Sequence, residues 1–255
     1  MRIALIADIH ANVHALRAVL ESVGTQDVSG TYHLGDLVGY AAHPNQTVEL
    51  LLDSEIAGVS GNYDSTVATN HEHCGCRYED PHQAELSHQS FEWTLAHTRK
   101  STREALGQLP FRIDLRPEGG HKSGRSVVLV HGTPTSNTLY WHEDRSDDFC
   151  RTMGEQAGLS PGDVIAFGHT HVPWVREVDG IWYVNAGSVG RPKDGDWRAC
   201  YAVLDLTDDE PSVEFVRTEY DIDAACTAIQ DSSLPDFFAE YLRAGGSPAP
   251  DPGNS

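Results

Sequence analysis

Short apolar runs alternate along this chain with stretches whose apolar residues recur at helical spacing, the pattern of an α/β layered fold. Residues 3–7 (IALIA) form a buried-strand run, followed by Val13, Leu16, Val19, Leu20 and Val23 on one helical face. Residues 31–35 and 56–60 read as the next strands. Between them a helix begun near Pro44 and Asn45 carries Val48, Leu51 and Leu52. Residues 65–81 hold turn formers, Cys and His without a period and read as a loop or excursion. Leu86, Ser90, Trp93 and His97 then keep helical spacing over 83–97. The second half is richer in strand signals: 126–130, 163–167, a hairpin of 173–178 and 181–184 turning at Asp179-Gly180, then 198–206 and 212–217. Helical patterns at 223–230 and 235–243 follow. Residues 1–244 read as a single domain, with no internal repeat or linker. Residues 245–255 (GGSPAPDPGNS) read as a disordered C-terminal tail.

Composition narrows the class. A chain of 255 residues with 39% hydrophobic residues can bury a core without disulfide or metal staples. No apolar stretch approaches the ~18 residues of a membrane span. Asp8 interrupts the opening run too soon for a signal-peptide core of about 7–15 apolar residues. The sequence therefore predicts a soluble, cytoplasmic protein with no membrane partner. Five cysteines, an odd count, are expected as reduced thiols. Cys74 and Cys76 lie near His71 and His73, but C-x-C spacing without a second cysteine pair is poor support for a separate metal clip. Thirty-eight acidic residues against 18 basic ones give a formal charge of −20. That field repels nucleic-acid backbone and disfavours a duplex partner. The excess of carboxylates over lysines fits an ordinary acidic protein or one adapted to high intracellular salt, and the response to salt separates the two.

The chemistry sits where the strand runs end. Five motifs each follow an apolar run: Asp8-Ile9-His10, Gly35-Asp36, Gly61-Asn62, His131-Gly132 and Gly168-His169-Thr170-His171. In open α/β sheets, ligand groups gather at the carboxyl ends of strands. Asp8, His10, Asp36, Asn62, His131, His169 and His171 are thereby delivered to one crevice. All seven offer oxygen or imidazole nitrogen, a set suited to borderline divalent metals such as Mn, Fe, Zn, Ni or Co. Seven ligands exceed one tetrahedral ion and suit two ions sharing a carboxylate, a clamp for in-line displacement at phosphorus.

With DIHAN, GDLVGY, GNYDS, LVHGTP, GHTHVP and NAGSVGRPKDGD, the chain resembles the calcineurin-like metallophosphoesterase superfamily from residue 1 to about residue 243. Its C-terminal segment is similar to the small prokaryotic branch that includes phosphodiesterases and diadenosine-tetraphosphate hydrolases. The resemblance implies a four-layer α/β/β/α sandwich of two mixed β-sheets. It implies two divalent ions, manganese first: Asp8, His10, Asp36 and His171 on one, Asn62, His131 and His169 on the other, with Asp36 bridging. It also implies hydrolysis by a hydroxide shared between the ions. Asn12 is expected near the phosphate, and Arg191 is expected to hold a second phosphate or a nucleotide, with Lys193 beside it. Asn185, Gly187 and Ser188 look like the signature of the site rim.

One departure matters. Where the family has a proton-donating His after Gly-Asn, this chain has Tyr63, although Asp64, the usual partner of that His, is kept. A phenol of pKa near ~10 is a poorer acid at pH 7 than an imidazolium near ~6.5. Substrates with good leaving groups, small nucleotide phosphodiesters and phosphoanhydrides, are therefore expected, with Tyr63 and Asp64 as the catalytic candidates. A phosphomonoesterase or protein phosphatase is the alternative, and a non-catalytic binding scaffold the third reading.

Overall fold

The computed structural model describes residues 1–76, 80–116 and 124–246. Along the chain the elements are β1 (Arg2–Ile6), α1 (Val13–Val23), β2 (Gly30–His33), α2 (Pro44–Asp53), β3 (Ala57–Gly58), α3 (Asn62–Ala68), α4 (Pro81–His97) and α5 (Lys100–Leu106). They continue with β4 (Ile113–Leu115), β5 (Val127–Leu129), α6 (Asp147–Ala157), β6 (Val164–Phe167), β7 (Trp174–Val178) and β8 (Ile181–Asn185). The last four are β9 (Ala199–Asp205), β10 (Ser212–Thr218), α7 (Ile222–Gln230) and α8 (Phe237–Arg243). Two mixed five-stranded sheets result, ordered β10-β9-β1-β2-β3 and β4-β5-β6-β8-β7. In each, three neighbouring strands run parallel, β1-β2-β3 and β5-β6-β8. The outer strands are antiparallel.

Alternation along the strands explains the four layers. Ile3, Leu5 and Ala7 face inward and pack with Val127, Leu129, Val164 and Ala166 of the opposite sheet. Ala4 and Ile6 face outward onto Leu16, Val19, Ile229 and Phe238 of the helical layer. On the other side Val128, Ile165 and Phe167 meet Cys150 and Met153 of α6 around Trp141. This is the α/β/β/α sandwich that the resemblance implied.

Four local differences from expectation have physical causes. The stretch expected as a loop opens with α3, whose first turn is closed by Asp64 accepting the Gly61 N–H at 2.9 Å. Helix α6 is capped by Ser146, carries Asp147 and Asp148 at its positive end and stops at Gly158 with φ 73°. Its buried face is mostly small, so apolar spacing did not reveal it. In α4 the buried face is Leu86, Ser87, Ser90, Phe91 and Thr94, while Trp93 stacks on His97 outside it, ring centroids 4.0 Å apart. Ordered packing also runs past the expected domain end. Gly245 and Gly246 are buried, and the Gly245 carbonyl accepts from Gly195 N–H at 2.9 Å. The rest of the expected tail, 247–255, lies outside the described residues.

Candidate metal centre

Five loops leave the parallel strands at one end of the two sheets. Asp8 and His10 follow β1, Asp36 follows β2, Asn62 opens α3 after β3, His131 follows β5, and His169 and His171 follow β6. Asp8, His10, Asp36, His169 and His171 all hold left-handed backbone, with φ between 47° and 65°. Such angles are uncommon outside glycine and gather where surrounding structure enforces them. The glycines of the motifs permit close approach: a Cβ on Gly61 would lie 2.1 Å from Asp36 Oδ1, and one on Gly168 would lie 2.5 Å from Asp8 Oδ2.

The side chains converge as two groups, Asp8 with His10 and His171, and Asp36 with His131 and His169. Asp36 Oδ2 stands between them, 3.7 Å from His10 Nε2 and 3.5 Å from His131 Nε2. Backbone carbonyls set the tautomers. The Nδ1–H of His10, His131 and His171 donates to Val38, Leu34 and Arg191 oxygens at 3.1, 2.8 and 2.6 Å. The Nε2 of His10 and of His171 therefore faces the centre as a bare lone pair, and that of His131 faces it too. Asn62 likewise gives its Nδ2 to the Cys74 carbonyl at 3.0 Å, which turns Oδ1 toward His131 Nε2 at 3.1 Å. His10 Nε2 and His171 Nε2 are 3.1 Å apart, as are His131 Nε2 and His169 Nδ1. Asp8 Oδ1 is buried and accepts no hydrogen bond.

Acceptors facing acceptors at this range repel unless a cation lies among them. Two nitrogens at right angles on one ion, each at about 2.1 Å, are about 3 Å apart. The donor set thus fits a divalent ion in each group. Electrostatics agree: burial pushes His10 and His169 down to about 3 and His171 well below its ordinary value, so all three rings are neutral. Burial alone would lower His131 too, but the Asp36 carboxylate holds it up at about 9. Its Nε2 thus keeps a proton among Asp36, Asn62 and His169 that a cation in the second group would displace. Asp36 itself is kept below the ordinary carboxylate range, against its burial, by His131 and His10. The centre attracts positive charge.

The model of the calcineurin-like phosphoesterase superfamily domain matches residues 1–209. The chain belongs to that superfamily. This phosphoesterase is 31% identical to an uncharacterized protein of Methanocaldococcus jannaschii, over 94% of this chain and 96% of that one. It is similar to the crystal structure of a metallophosphoesterase from Sphaerobacter thermophilus, at 29% identity and a TM-score of 0.72, covering 96% and 100% of the two chains. A protein of Pyrococcus horikoshii shares the fold, with a TM-score of 0.79 at 20% identity over 96% and 99%. The family depends on dinuclear metal centres, and the chain is a hydrolase of phosphoric esters.

Around the phosphoesterase centre, Asn12 is buried. Its Oδ1 caps α1 by accepting from Ala15 N–H at 3.1 Å, and its Nδ2 donates to the Gly190 carbonyl and the Tyr220 hydroxyl. Both hydrogens of its amide are engaged inside the fold. Asp64 is fully buried, and its oxygens accept from Leu37 and Gly61 N–H at 2.8 and 2.9 Å. It fastens the loop of Asp36 to that of Asn62. Asn185 and Ser188 brace turns: Asn185 donates to the Gly168 carbonyl and Ser188 to the Asp8 carbonyl.

Tyr63 lies in the cleft wall, its ring packed against Tyr40, Phe91 and His10. Arg191 is buried with its guanidinium between the rings of Tyr40 and Tyr241, 4.0 and 4.1 Å from their centroids. Lys193, Cys76 and Tyr140 complete the cleft beside His10, Asp36 and His169, and Tyr140 stacks on His169 at 4.4 Å. The C-x-C loop is therefore part of the cleft wall. Motif order along the sequence exposes Lys193, two residues past Arg191, but gives no sign of Cys76 or Tyr140, which arrive through chain crossing.

Proposed function

We propose that this protein is a two-metal phosphodiesterase or phosphoanhydride hydrolase acting on small nucleotides. Asp8, His10, Asp36 and His171 hold one ion and Asn62, His131 and His169 the other, with Asp36 shared. The observation that carries this reading is the convergence of unprotonated acceptors, His10 and His171 Nε2 at 3.1 Å above all. When bound, the two ions supply an acidified water as nucleophile and neutralise the phosphoryl oxygens. The chain's own residues do the rest. The Val38, Leu34 and Arg191 carbonyls lock the imidazoles in the ligating tautomer, and Asp64 holds the two donor loops at fixed separation. Arg191 and Lys193 bring positive charge to the cleft for a second anionic group of the substrate. Manganese suits the mixed oxygen and nitrogen donors. The absence of any disulfide among the described residues fits the cytoplasm.

Tyr63 in place of an imidazole favours leaving groups that depart without a proton. In protein reconstituted with Mn²⁺, bis(p-nitrophenyl) phosphate and dinucleoside polyphosphates are expected to turn over faster than glycerol phosphate, whose alkoxide departs only with a proton, by about the 10²–10⁴ that leaving-group protonation is worth. They are also expected to outpace p-nitrophenyl phosphate, which shares the nitrophenolate and so reads the diester preference alone. A preference for the monoester overturns the substrate assignment and leaves a phosphomonoesterase.

A further inference from the structure

Of the cysteines, Cys150, Cys200 and Cys226 are sealed in the core with no exposed surface. Cys74 and Cys76 differ, because they meet across one residue at the wall of the metal cleft. Gly75 between them holds left-handed backbone, φ 80°, which folds the tripeptide back on itself. The Cys76 N–H donates to Cys74 Sγ at 3.4 Å, and the Cys76 side chain hydrogen bonds to the same sulfur. Cys74 is 5% exposed. Cys76 is half-buried and lines the cleft with Tyr140, His169 and Lys193. Asn62 joins the pair to the metal centre: its Nδ2 donates to the Cys74 carbonyl at 3.0 Å and to Cys76 Sγ at 3.2 Å.

Two thiol side chains in contact, one reached from the cleft and one shielded behind it, have the layout of an attacking and a resolving cysteine. We propose that Cys74 and Cys76 form a modification site, which hydrogen peroxide oxidises to a reversible disulfide that loosens Asn62. Half-burial sets the oxidant, since peroxide reaches a recessed sulfur that a glutathione disulfide, with its two tripeptides, does not. Cys76 gives up its proton and attacks one peroxide oxygen. The O–O bond breaks, the departing hydroxide takes that proton, and Cys76 becomes a sulfenic acid. Cys74 then attacks the Cys76 sulfur. The S–S bond forms, the S–O bond breaks, and water leaves with the Cys74 proton. Two thiols are oxidised by two electrons and peroxide is reduced to two waters. A bridge between residues two apart closes a small ring, and strained disulfides are the easily reduced ones. The sulfur drawn onto Cys74 leaves Asn62 Nδ2, so Oδ1 is aimed less firmly at the second ion. That consequence rests on the ligand set proposed above, whereas formation of the disulfide does not.

The test treats the Mn²⁺-loaded full chain with hydrogen peroxide at about pH 8, where a thiol of pKa near ~8.5 is partly ionised. The protein is then quenched with catalase, unfolded and alkylated. Mass spectrometry is expected to show loss of two hydrogens and alkylation of Cys150, Cys200 and Cys226 alone, with dithiothreitol restoring all five thiols. Cys76→Ser is expected to keep Cys74 open to alkylation. Cys74→Ser, blocked at the second step, is expected to leave a sulfenic acid on Cys76 that dimedone traps. In titration calorimetry, the disulfide form is expected to bind one of its two Mn²⁺ about 10–100-fold more weakly than the reduced form, the range for losing a group that orients a ligand. Five alkylated cysteines after peroxide overturn the proposal, as does a loss of two hydrogens that persists in Cys74→Ser and Cys76→Ser. Sulfinic acid at Cys76 as the main product, or Mn²⁺ binding identical in the two forms, also overturns it. If the reduced chain binds fewer than two Mn²⁺, the metal assignment fails, while the masses still decide the dithiol.

Discussion

Asp36 is the residue on which both donor groups depend. Its Oδ2 lies within 3.7 Å of His10 and 3.5 Å of His131, while Oδ1 accepts from Tyr63 N–H at 2.9 Å. One anion between two dications offsets their repulsion, so Asp36→Asn is expected to lower metal content at both positions and turnover by orders of magnitude. Two ions per chain in an active variant, counted by elemental analysis, contradicts the bridging role. Asp64 is predicted to matter for folding as much as for rate. Asp64→Ala leaves the N–H groups of Leu37 and Gly61 buried without an acceptor, at about 1–3 kcal/mol each. Urea denaturation showing a loss below about 1 kcal/mol would mean the two loops are held by other contacts. For Tyr63→Phe, the packing against Tyr40 and Phe91 survives and no proton is needed by a nitrophenolate. Turnover of bis(p-nitrophenyl) phosphate is expected to stay within about threefold, far below the ~10²–10⁴ of a working general acid. Its collapse with both metals bound would make Tyr63 an orienting group for substrate.

At the scale of elements, the strand ends are strained so that their side chains converge. Five donor residues with positive φ cost of order 1–3 kcal/mol each, a cost that bound ions help to offset. Each ion held at 100 times its Kd adds about 2.7 kcal/mol, and 1 kcal/mol moves Tm by about 2–4 °C in a chain of this size. Chelation is therefore expected to lower Tm by about 10–20 °C, and re-addition of Mn²⁺ to restore it. An unchanged Tm in scanning calorimetry would mean the loops are held in this geometry without metal. The same strand ends were legible in the sequence because a continuous apolar run that stops at Asp, Gly or His marks where a buried strand gives way to a polar loop. Helix α6 was not legible, since Cys150, Gly154 and Ala157 on its buried face are too small or too weakly apolar to register. The capping role of Asn12 was not legible either. Its place beside His10 suggested the cleft, yet the helix that begins at Val13 claims it as a cap. Cys76 and Tyr140 join the cleft from loops distant in sequence, which no local pattern records.

Across the whole molecule, a charge of −20 surrounds a centre that binds cations and acts on anions. Arginines offset part of it in pairs such as Arg176 with Asp147, Arg217 with Asp194 and Arg112 with Asp114, but exposed pairs are worth little each. Screening shortens from ~10 Å at 0.1 M salt to ~3 Å at 1 M, so Tm is expected to rise from dilute buffer to molar KCl as carboxylate repulsion falls. A flat profile returns the acidic surface to ordinary variation. The field also favours small substrates over duplex nucleic acid, leaving the donor cluster as the feature that defines the enzyme. The most direct test of that cluster is anomalous diffraction from crystals grown with Mn²⁺. Two peaks about 3.5–4 Å apart, one against Asp8, His10 and His171, the other against Asn62, His131 and His169, with Asp36 touching both, is the expected result. A single peak at saturating Mn²⁺, or two peaks that do not share Asp36, would contradict the account.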